Sequence, residues 1–389
     1  MRILYFSRDY TPHDHRFLSA LAKTEHRVYY LRLEQRGYQL EDRSLPEGVE
    51  SVHWAGGRNP FRWRDVPRLL IDLKKVILDV EPDLIQAGPI QTAAFLVALA
   101  GFHPLVSVSW GYDLLEDARR NILWGWATRF ALRHSSVMVG DCNTIRQKAV
   151  SYGMPDEHIV TFPWGVDLRH FSPEPTSSSN GRIFSLLSTR SWEPIYGVDV
   201  IAKAFVRAWR TLSPGNESVI SDPNLGYAVQ QIGGDQGPEL RLTMLGNGSQ
   251  AGELRRIFIQ GGALDQVYFP GQVGQADLPR YYHAADLYVS ASHSDGTSIS
   301  LLEAMACGCP ALVSDIPGNR EWICSEKQGW LFSDGDVEGL AQAILQAVTR
   351  RDSLVEMGRE ARRLAEQKAD WEKNFLELLH AYNLAGKHQ

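Results

Sequence analysis

Cysteine is scarce in this chain: four residues in 389. That is too few for a disulfide framework in a protein of this length. Cys307 and Cys309 stand two apart, but no further cysteine or histidine is close enough in sequence to complete a zinc pattern, so both read as small buried side chains. Long hydrophobic runs are also missing. The longest, "TAAFLVALAGFHPLVSV", is broken by His103 and Pro104 and falls short of the roughly 20 apolar residues of a membrane span. The opening "MRILYFSRDY" has a short apolar run before Arg8 and Asp9, so no secretory signal is expected. Basic excess is absent as well. The formal net charge is −6, which argues against nucleic acid as the main partner. No repeat of solenoid period is visible. These absences leave a reduced, cytoplasmic globular protein as the expectation.

What is present is alternation. Apolar residues make up 44% of the chain and charged residues 22%, both globular values, and the length suits two domains. Short β-type runs ("RILYFS", "HRVYYLRL", "PDLIQAG", "PLVSVSWG", "SSVMVGD", "HIVTFPWGVD") are separated by helical patterns such as "HRFLSALAKT", "DVPRLLIDLKKVILDV" and "TAAFLVALAG". A second series runs through "GRIFSLLSTR", "LRLTMLGNG", "QVYFPGQV", "DLYVSAS", "PALVSD" and "GWLF". Strands spaced by helices predict parallel sheets covered on both faces. Two such series predict two doubly wound domains, residues 1–163 and 164–365, joined where proline, serine and glycine cluster in "FPWGVDLRHFSPEPTSSSNG". Residues 213–238 read as a long insertion. The tail, 366–389, is an amphipathic helix in which Trp371, Phe375, Leu378 and Tyr382 recur at helical spacing.

One basic stretch stands out, "RNPFRWRDVPRLLIDLKK" at 58–75, with Phe61 and Trp63 between arginines. Such a segment suits an anionic membrane surface. The plainer reading is a loop and an ordinary surface helix.

The most informative stretch is "SHSDGTSISLLEAMACGCPALVSDIPGNREW", residues 292–322. Gly296 lets the backbone approach a ligand closely. Thr297 or Ser298 can cap the helix that follows. Ile299, Leu302, Met305 and Ala306 form its packed face. The unpaired N–H groups at its start suit an anion, phosphate above all. Glu303 lies roughly 7–8 Å along the axis from there, about the distance from a nucleotide's phosphates to its ribose, where a carboxylate can accept two hydrogen bonds from a diol. Gly308 and Pro310 end the helix. Asp295, on the loop, would reach toward whatever the distal phosphate carries. The spacing therefore suits a nucleotide diphosphate bearing a further group.

This stretch resembles the signature of retaining glycosyltransferases of family 4. Their pattern of an acid, seven residues and a Glu, then "EAMA-x-G-x-P" and a Gly-x-x-Glu turn, corresponds to Asp295, Glu303, "EAMACGCP" and "PGNRE". The resemblance extends along nearly the full chain. "TFPWGVDLRHFSP", "LTMLGNGSQAGELRR" and "VYFPGQVGQADLPRYYHAADLYVSAS" are similar to further family segments, and "PDLIQAGPIQTAA" and "SVSWGYD" to segments of its first domain. The resemblance implies a GT-B fold: α/β, two doubly wound Rossmann-like domains with a cleft between them and a C-terminal helix crossing back onto the first. It also implies transfer of a sugar from a nucleotide-diphosphate sugar to a hydroxyl of a glycan or lipid-linked acceptor, with retention and without metal or other cofactor. The setting would be cell-surface polysaccharide or glycoconjugate synthesis at the inner membrane face. Catalytic roles fall to Arg190, Asp295 and Asp113. Donor binding falls to Glu303, Gly296, Thr297, Ser298, Tyr196, Gly246 and Gly248. The acceptor side would take His13, Asp14, Arg16, Gly88, Trp110 and Gly111, with Arg8 on the same loop as His13.

Two departures matter. The family commonly pairs Arg with Lys on the diphosphate. Here "STRSWEPIYGVD" has Arg190, but Tyr196 stands where Lys is expected, as in a subgroup with Arg…Glu-Pro-x-Tyr. The first-domain histidine of the family is replaced by Trp110. The Tyr keeps alive a relative that binds sugar nucleotides without turnover. A sugar-nucleotide epimerase or phosphorylase on the same fold is a further rival. "GNGSQAG" at 246–252 looks like a dinucleotide glycine fingerprint, but no acid follows at the required distance. "DGD" at 334–336 imitates a metal motif, yet Asp336 reads better as a helix cap.

Overall fold

The computed structural model describes residues 1–34, 41, 43–57, 60–174, 182–213, 238–324 and 326–387. Apart from Ser213 and Pro238, the expected insertion at 213–238 lies outside the described residues, as do 175–181 of the linker and Arg58 and Asn59 of the basic stretch. The chain divides into two compact units. The first comprises Met1–Trp164 with Glu372–Gln389, and the second Gly165–Trp371.

The first unit is built on a seven-stranded parallel sheet: β1 (Arg2–Ser7), β2 (Arg27–Arg32), β3 (Val49–Ser51), β4 (Leu84–Gly88), β5 (Leu105–Val108), β6 (Val137–Gly140) and β7 (Ile159–Thr161). Their order is β3-β2-β1-β4-β5-β6-β7. The central strands are buried along their whole length, as a parallel sheet covered on both faces requires. That is why they read as unbroken apolar runs. β3, with one half-buried and two exposed residues, has no such signature and escaped the sequence reading. The expected helix "TAAFLVALAG" begins as a π-helical turn, Ile90–Ala94, before becoming the α-helix Phe95–Ala100. The last helix, Trp371–Gly386, packs on the same unit. Asn374 donates to the Pro163 carbonyl at 2.9 Å and the buried Tyr382 hydroxyl donates to Gln86.

The second unit has a six-stranded parallel sheet: β8 (Ile183–Ser188), β9 (Glu239–Leu245), β10 (Val267–Gly271), β11 (Leu287–Ser290), β12 (Ala311–Ser314) and β13 (Gly329–Phe332), in the order β10-β9-β8-β11-β12-β13. The helix Val198–Leu212 buries Val198, Ile201, Ala202, Phe205, Ala208 and Leu212, the three-to-four spacing of one helix face. The helix Arg351–Lys368 closes the other side. Arg362 fastens it by donating to the carbonyls of Phe171, Ala306 and Leu168. This helix and the residues up to Trp371 belong to the second unit, so the returning segment starts at Glu372 and not at 366.

In both sheets the strand order reverses once, at β1/β4 and at β8/β11. The loops leaving the carboxyl ends of strands at such a reversal form a crevice, the usual ligand position in open α/β sheets.

Candidate functional site

In the second unit the loops after β8 and β11 flank the reversal, and they carry Arg190 and Asp295. The Arg190 guanidinium donates to Asp295 Oδ2 at 2.7 Å and to Ser298 Oγ at 2.8 Å. Its carbon lies 4.1 Å from the centroid of the Tyr196 ring. The tyrosine therefore faces Arg190 in a cation–π contact. The Arg190 side chain is only 10% exposed, and its Nε is buried with no hydrogen-bond partner among the described residues. Burial works against the guanidinium charge, but Asp295 and the surrounding tyrosine hydroxyls more than offset it, and the group is held firmly protonated. For Asp295 burial dominates and raises its pKa, although Arg190 and the Gly296 N–H oppose the shift. The pair is thus a buried cation with one orphaned donor, neutralised by a carboxylate that would be easier to protonate than an ordinary Asp. An anion with several acceptor oxygens matches that unmet donor.

Two glycines shape this loop cluster. Gly197, at φ 56°, begins the helix Val198–Leu212; a Cβ there would lie 2.1 Å from the Ala291 carbonyl oxygen. Gly318, in the "PGN" turn, lies so close behind the loop that a Cβ would sit 2.2 Å from the Gly296 oxygen and 2.7 Å from that of Asp295. The turn is itself anchored, because Asn319 donates to the Ser314 carbonyl at 2.9 Å and Ser314 Oγ to the Ser292 carbonyl at 2.6 Å. The "PGNRE" segment therefore backs the "SDGTS" loop. On its other side His293 ties in through its backbone N–H to Ile195 and its ring to Asp334, 2.6 Å away.

Ser298 is the N-cap of the helix Ile299–Ala306, its Oγ accepting from the Leu301 N–H at 3.5 Å. Gly296, Thr297 and Ser298 are all buried. The helix is buried on more sides than the sequence suggested: Leu301 through Ala306 are all buried, while Ile299, expected in the packed face, is half-buried. Glu303, 7% exposed, accepts from the Tyr282 hydroxyl at 2.8 Å. Its carboxylate lines a cavity of about 180 Å³ together with Thr189, Gly246, Asn247, Gln272 and Val273. Tyr282 is fully buried and pairs also with Thr189 Oγ1 at 3.2 Å, so it fixes the acid's position. Sequence reasoning assigned Tyr282 no role. Its only signal was a tyrosine just before β11 in "YYHAAD".

The glycines of "GNGS" do different work. Gly246 (φ 109°) borders the cavity and would carry a Cβ 2.8 Å from the Arg190 carbonyl oxygen. A Cβ on Gly248 would meet the Trp192 carbonyl at 2.5 Å, and next to it Glu193 accepts from the Ser249 N–H at 2.9 Å and from its hydroxyl. Gly248 thus seats this loop against the one carrying Arg190 and does not itself line the cavity. Asp336 caps the helix Val337–Thr349 through the Gly339 N–H, as its sequence position suggested.

In the first unit, the expected residues separate into two kinds. His13 stacks on Trp110 (centroids 5.6 Å, planes 24° apart), and Trp110 also contacts Phe17 and Trp164. Both His13 and Trp110 are half-buried. Gly88 makes room for this cluster; a Cβ would lie 2.6 Å from the Val108 oxygen and 3.2 Å from the Trp110 indole nitrogen. Gly111, at φ 94°, turns the chain after Trp110. Arg16 donates to the Trp164 carbonyl at 3.0 Å, and Arg8 ion-pairs with Glu34 at 3.0 Å.

Asp14 and Asp113 differ from expectation. Asp14, 1% exposed, forms a capping box with Thr11 and accepts from the Tyr5 hydroxyl at 3.0 Å. Asp113, 3% exposed, accepts from Ser109 Oγ at 2.6 Å, from the Ile90 N–H at 3.0 Å and from the Leu114 N–H at 3.1 Å. Burial pushes each carboxyl up to about 6, against the pull of those donors. Asp113 clasps the loops after β4 and β5 together, and Asp14 fixes the start of its helix. These contacts engage both carboxylates inside the protein and leave them poorly placed to bind a sugar hydroxyl.

Comparison with known proteins defines the class. Residues 13–170 match the glycosyltransferase family 4 model, and residues 224–364 match that of glycosyl transferases group 1. The fold is that of GT-B glycosyltransferases, and both models that the chain matches, each over less than half of its length, are glycosyltransferase families. It is 27% identical over 250 residues to the D-inositol 3-phosphate glycosyltransferase of Geodermatophilus obscurus, covering 62% of this chain and 51% of that one. It is 23% identical over 308 residues, 74% of this chain and 71% of the other, to a GDP-mannose-dependent alpha-(1-6)-phosphatidylinositol monomannoside mannosyltransferase of Mycobacterium tuberculosis. Several other curated relatives are matched over about a quarter to a third of their length. Among solved structures, Anabaena HepE in complex with UDP and glucose superposes with a TM-score of 0.75 at 18% identity, over 98% of this chain and 99% of that one.

Proposed function

We propose that the protein is a retaining glycosyltransferase that moves a sugar from a nucleotide-diphosphate sugar to a hydroxyl of a glycan or lipid-linked acceptor. The observation that carries this reading is the buried Arg190, with its orphaned Nε, beside the cavity that Glu303 lines. In this reading Glu303 holds the ribose. Arg190 and the amides of Gly296–Ser298 hold the diphosphate, and Asp295 lies nearest the transferred sugar. His13 and Trp110 are proposed as acceptor contacts.

The difficult step is departure of the nucleotide diphosphate, so stabilising charge on the leaving phosphate is the main contribution. Arg190 supplies that charge in place, without reorganisation. The acceptor oxygen attacks the anomeric carbon from the face the diphosphate leaves, and the leaving phosphate oxygen takes the acceptor's proton. No protein base is needed, and the cation role is met by a side chain and not by a metal. Chelator should therefore leave turnover unchanged. The relatives named for inositol phosphate and phosphatidylinositol mannoside acceptors favour a polar, phosphate-bearing or lipid-linked acceptor, consistent with work at a membrane face.

Tyr196 in place of Lys favours the rival of a binder without turnover, because one cation is missing. Transfer of label from a panel of radiolabelled nucleotide sugars to an acceptor extract separates the two. Transfer supports the proposal, and binding without transfer supports the rival. An epimerised donor recovered without acceptor would point to the epimerase class.

A further inference from the structure

The first unit exposes an apolar ridge at the start of the helix Ile122–Arg133. Ile122 is 93% exposed, Leu123 44% and Trp126 47%. These side chains are not an isolated surface accident. Trp126 packs on Phe95, Phe95 on Trp63, and Trp63 on Trp124, each with centroids within 6 Å. An aromatic relay thus runs from the core to the ridge and holds it rigid. It also joins the ridge to the basic stretch that the sequence singled out. Within that stretch Phe61 and Trp63 are half-buried, while Arg62, Arg64 and Arg68 point to solvent. On the other flank Arg119 and Arg120 are exposed, and Arg120 lies over the Trp124 ring at 5.2 Å.

The neighbouring acids include Asp65, Glu116 and Asp117, with Asp117 paired to Arg120 at 3.9 Å, and Glu34, which accepts from the Phe61 N–H and is paired to Arg8 at 3.0 Å. The surface therefore carries an excess of positive charge on a chain whose net charge is −6. Aliphatic side chains and a tryptophan projecting between arginines match a headgroup region, where the apolar groups reach the acyl boundary and guanidinium groups pair with phosphates. A second copy of this chain would have to bring an acidic, concave counterpart to the same ridge.

We propose that this surface docks the protein on an anionic lipid bilayer, with Ile122, Leu123 and Trp126 inserted and the flanking arginines on the headgroups. No helix among the described residues is long and apolar enough to cross a membrane, so the contact would be peripheral. The inference shares no residue with the proposed donor site, and its failure would leave that reading untouched.

The test is co-sedimentation of the full chain with vesicles of phosphatidylcholine containing about one third phosphatidylglycerol. Wild-type protein, Ile122→Glu/Leu123→Glu and Arg119→Glu/Arg120→Glu are compared, with thermal unfolding as the folding control and sedimentation velocity as the readout of self-association. Wild type should bind the anionic vesicles, bind phosphatidylcholine alone far less, and dissociate at ~0.5 M salt. Each folded variant should bind at least about tenfold more weakly. Absence of wild-type binding would overturn the proposal, as would equal binding by the variants. So would variants that turn a dimer into monomers while vesicle binding stays as it was.

Discussion

Arg190 and Asp295 form a buried ion pair, 2.7 Å apart, across the two loops at which the second sheet reverses its strand order. A nucleotide diphosphate would bring its own negative charge to the same arginine, so the aspartate competes with the leaving group for the cation. Removing the charge while keeping the shape should separate binding from transfer. Asp295→Asn is expected to bind nucleoside diphosphates about three- to tenfold more tightly and to transfer sugar at least about a hundredfold more slowly. Calorimetric titration with UDP, GDP and ADP, alongside turnover, checks both. Weaker binding of every nucleotide would show that Asp295 chiefly holds Arg190 in place.

Tyr196 bears on the missing lysine. Its ring lies against the Arg190 guanidinium, so it orients that cation and adds no charge of its own. Tyr196→Phe keeps the ring and should keep nucleotide affinity within about twofold, whereas Tyr196→Leu should lower it about fivefold through loss of a contact of roughly 1 kcal/mol. Equal effects of the two changes would mean that the hydroxyl, and not the ring, matters.

Tyr282 is a positioning residue for Glu303. Its removal should act through that acid. Tyr282→Phe is expected to weaken nucleotide binding severalfold in wild type and to have little further effect in Glu303→Ala, a coupling that a double-mutant cycle measures. Additive losses would place Tyr282 outside the site's function.

Asp113 makes a prediction about pH. Its folded carboxyl titrates at about 6, against about 3.9 in an unfolded chain. The folded protein therefore keeps this proton where the unfolded chain has lost it. The group's favourable contribution is fully present below about pH 4 and is lost as pH rises through about 6. Asp113→Asn removes the titration. The unfolding free energy of the variant relative to wild type should rise by roughly 2–3 kcal/mol between about pH 4 and 7, read from urea titrations. A difference that stays flat would contradict a buried carboxyl with a raised pKa.

Gly318 tests the brace behind the phosphate loop. A Cβ there meets backbone oxygens that cannot swing aside. Gly318→Ala should cost about 2 kcal/mol of stability and weaken nucleotide binding, both visible in thermal unfolding with and without nucleotide. A variant as stable as wild type, with full affinity, would mean that the loop shifts freely.

Much of this was legible in the sequence because parallel strands buried on both faces leave continuous apolar runs. "VSVSW" and "DLYVSAS" announce β5 and β11 for that reason. β3 left no trace, since a short, mostly exposed edge strand needs no apolar residues. The loop after β11 was readable because its chemistry is local: a glycine, a cap and an acid at fixed helical distance. Tyr282, Glu193 and Asn319 were not, because each acts through a partner distant in sequence. Asp14 and Asp113 carry the opposite lesson. An acid on a loop at the carboxyl end of a strand looks poised for a substrate, and only its burial and internal donors show that it is engaged in holding the fold. Tyr196 looked like a lost charge, whereas in three dimensions it is the platform of the charge that remains.

The central claim is that the second unit's loop cluster binds the donor nucleotide, with Glu303 on the ribose. Isothermal titration of wild type and Glu303→Ala with a panel of nucleotide-diphosphate sugars tests it most directly. The account predicts that at least one donor binds wild type and that Glu303→Ala loses that binding by about a hundredfold or more. Retention of full affinity by Glu303→Ala, or failure of every donor to bind wild type, would contradict it.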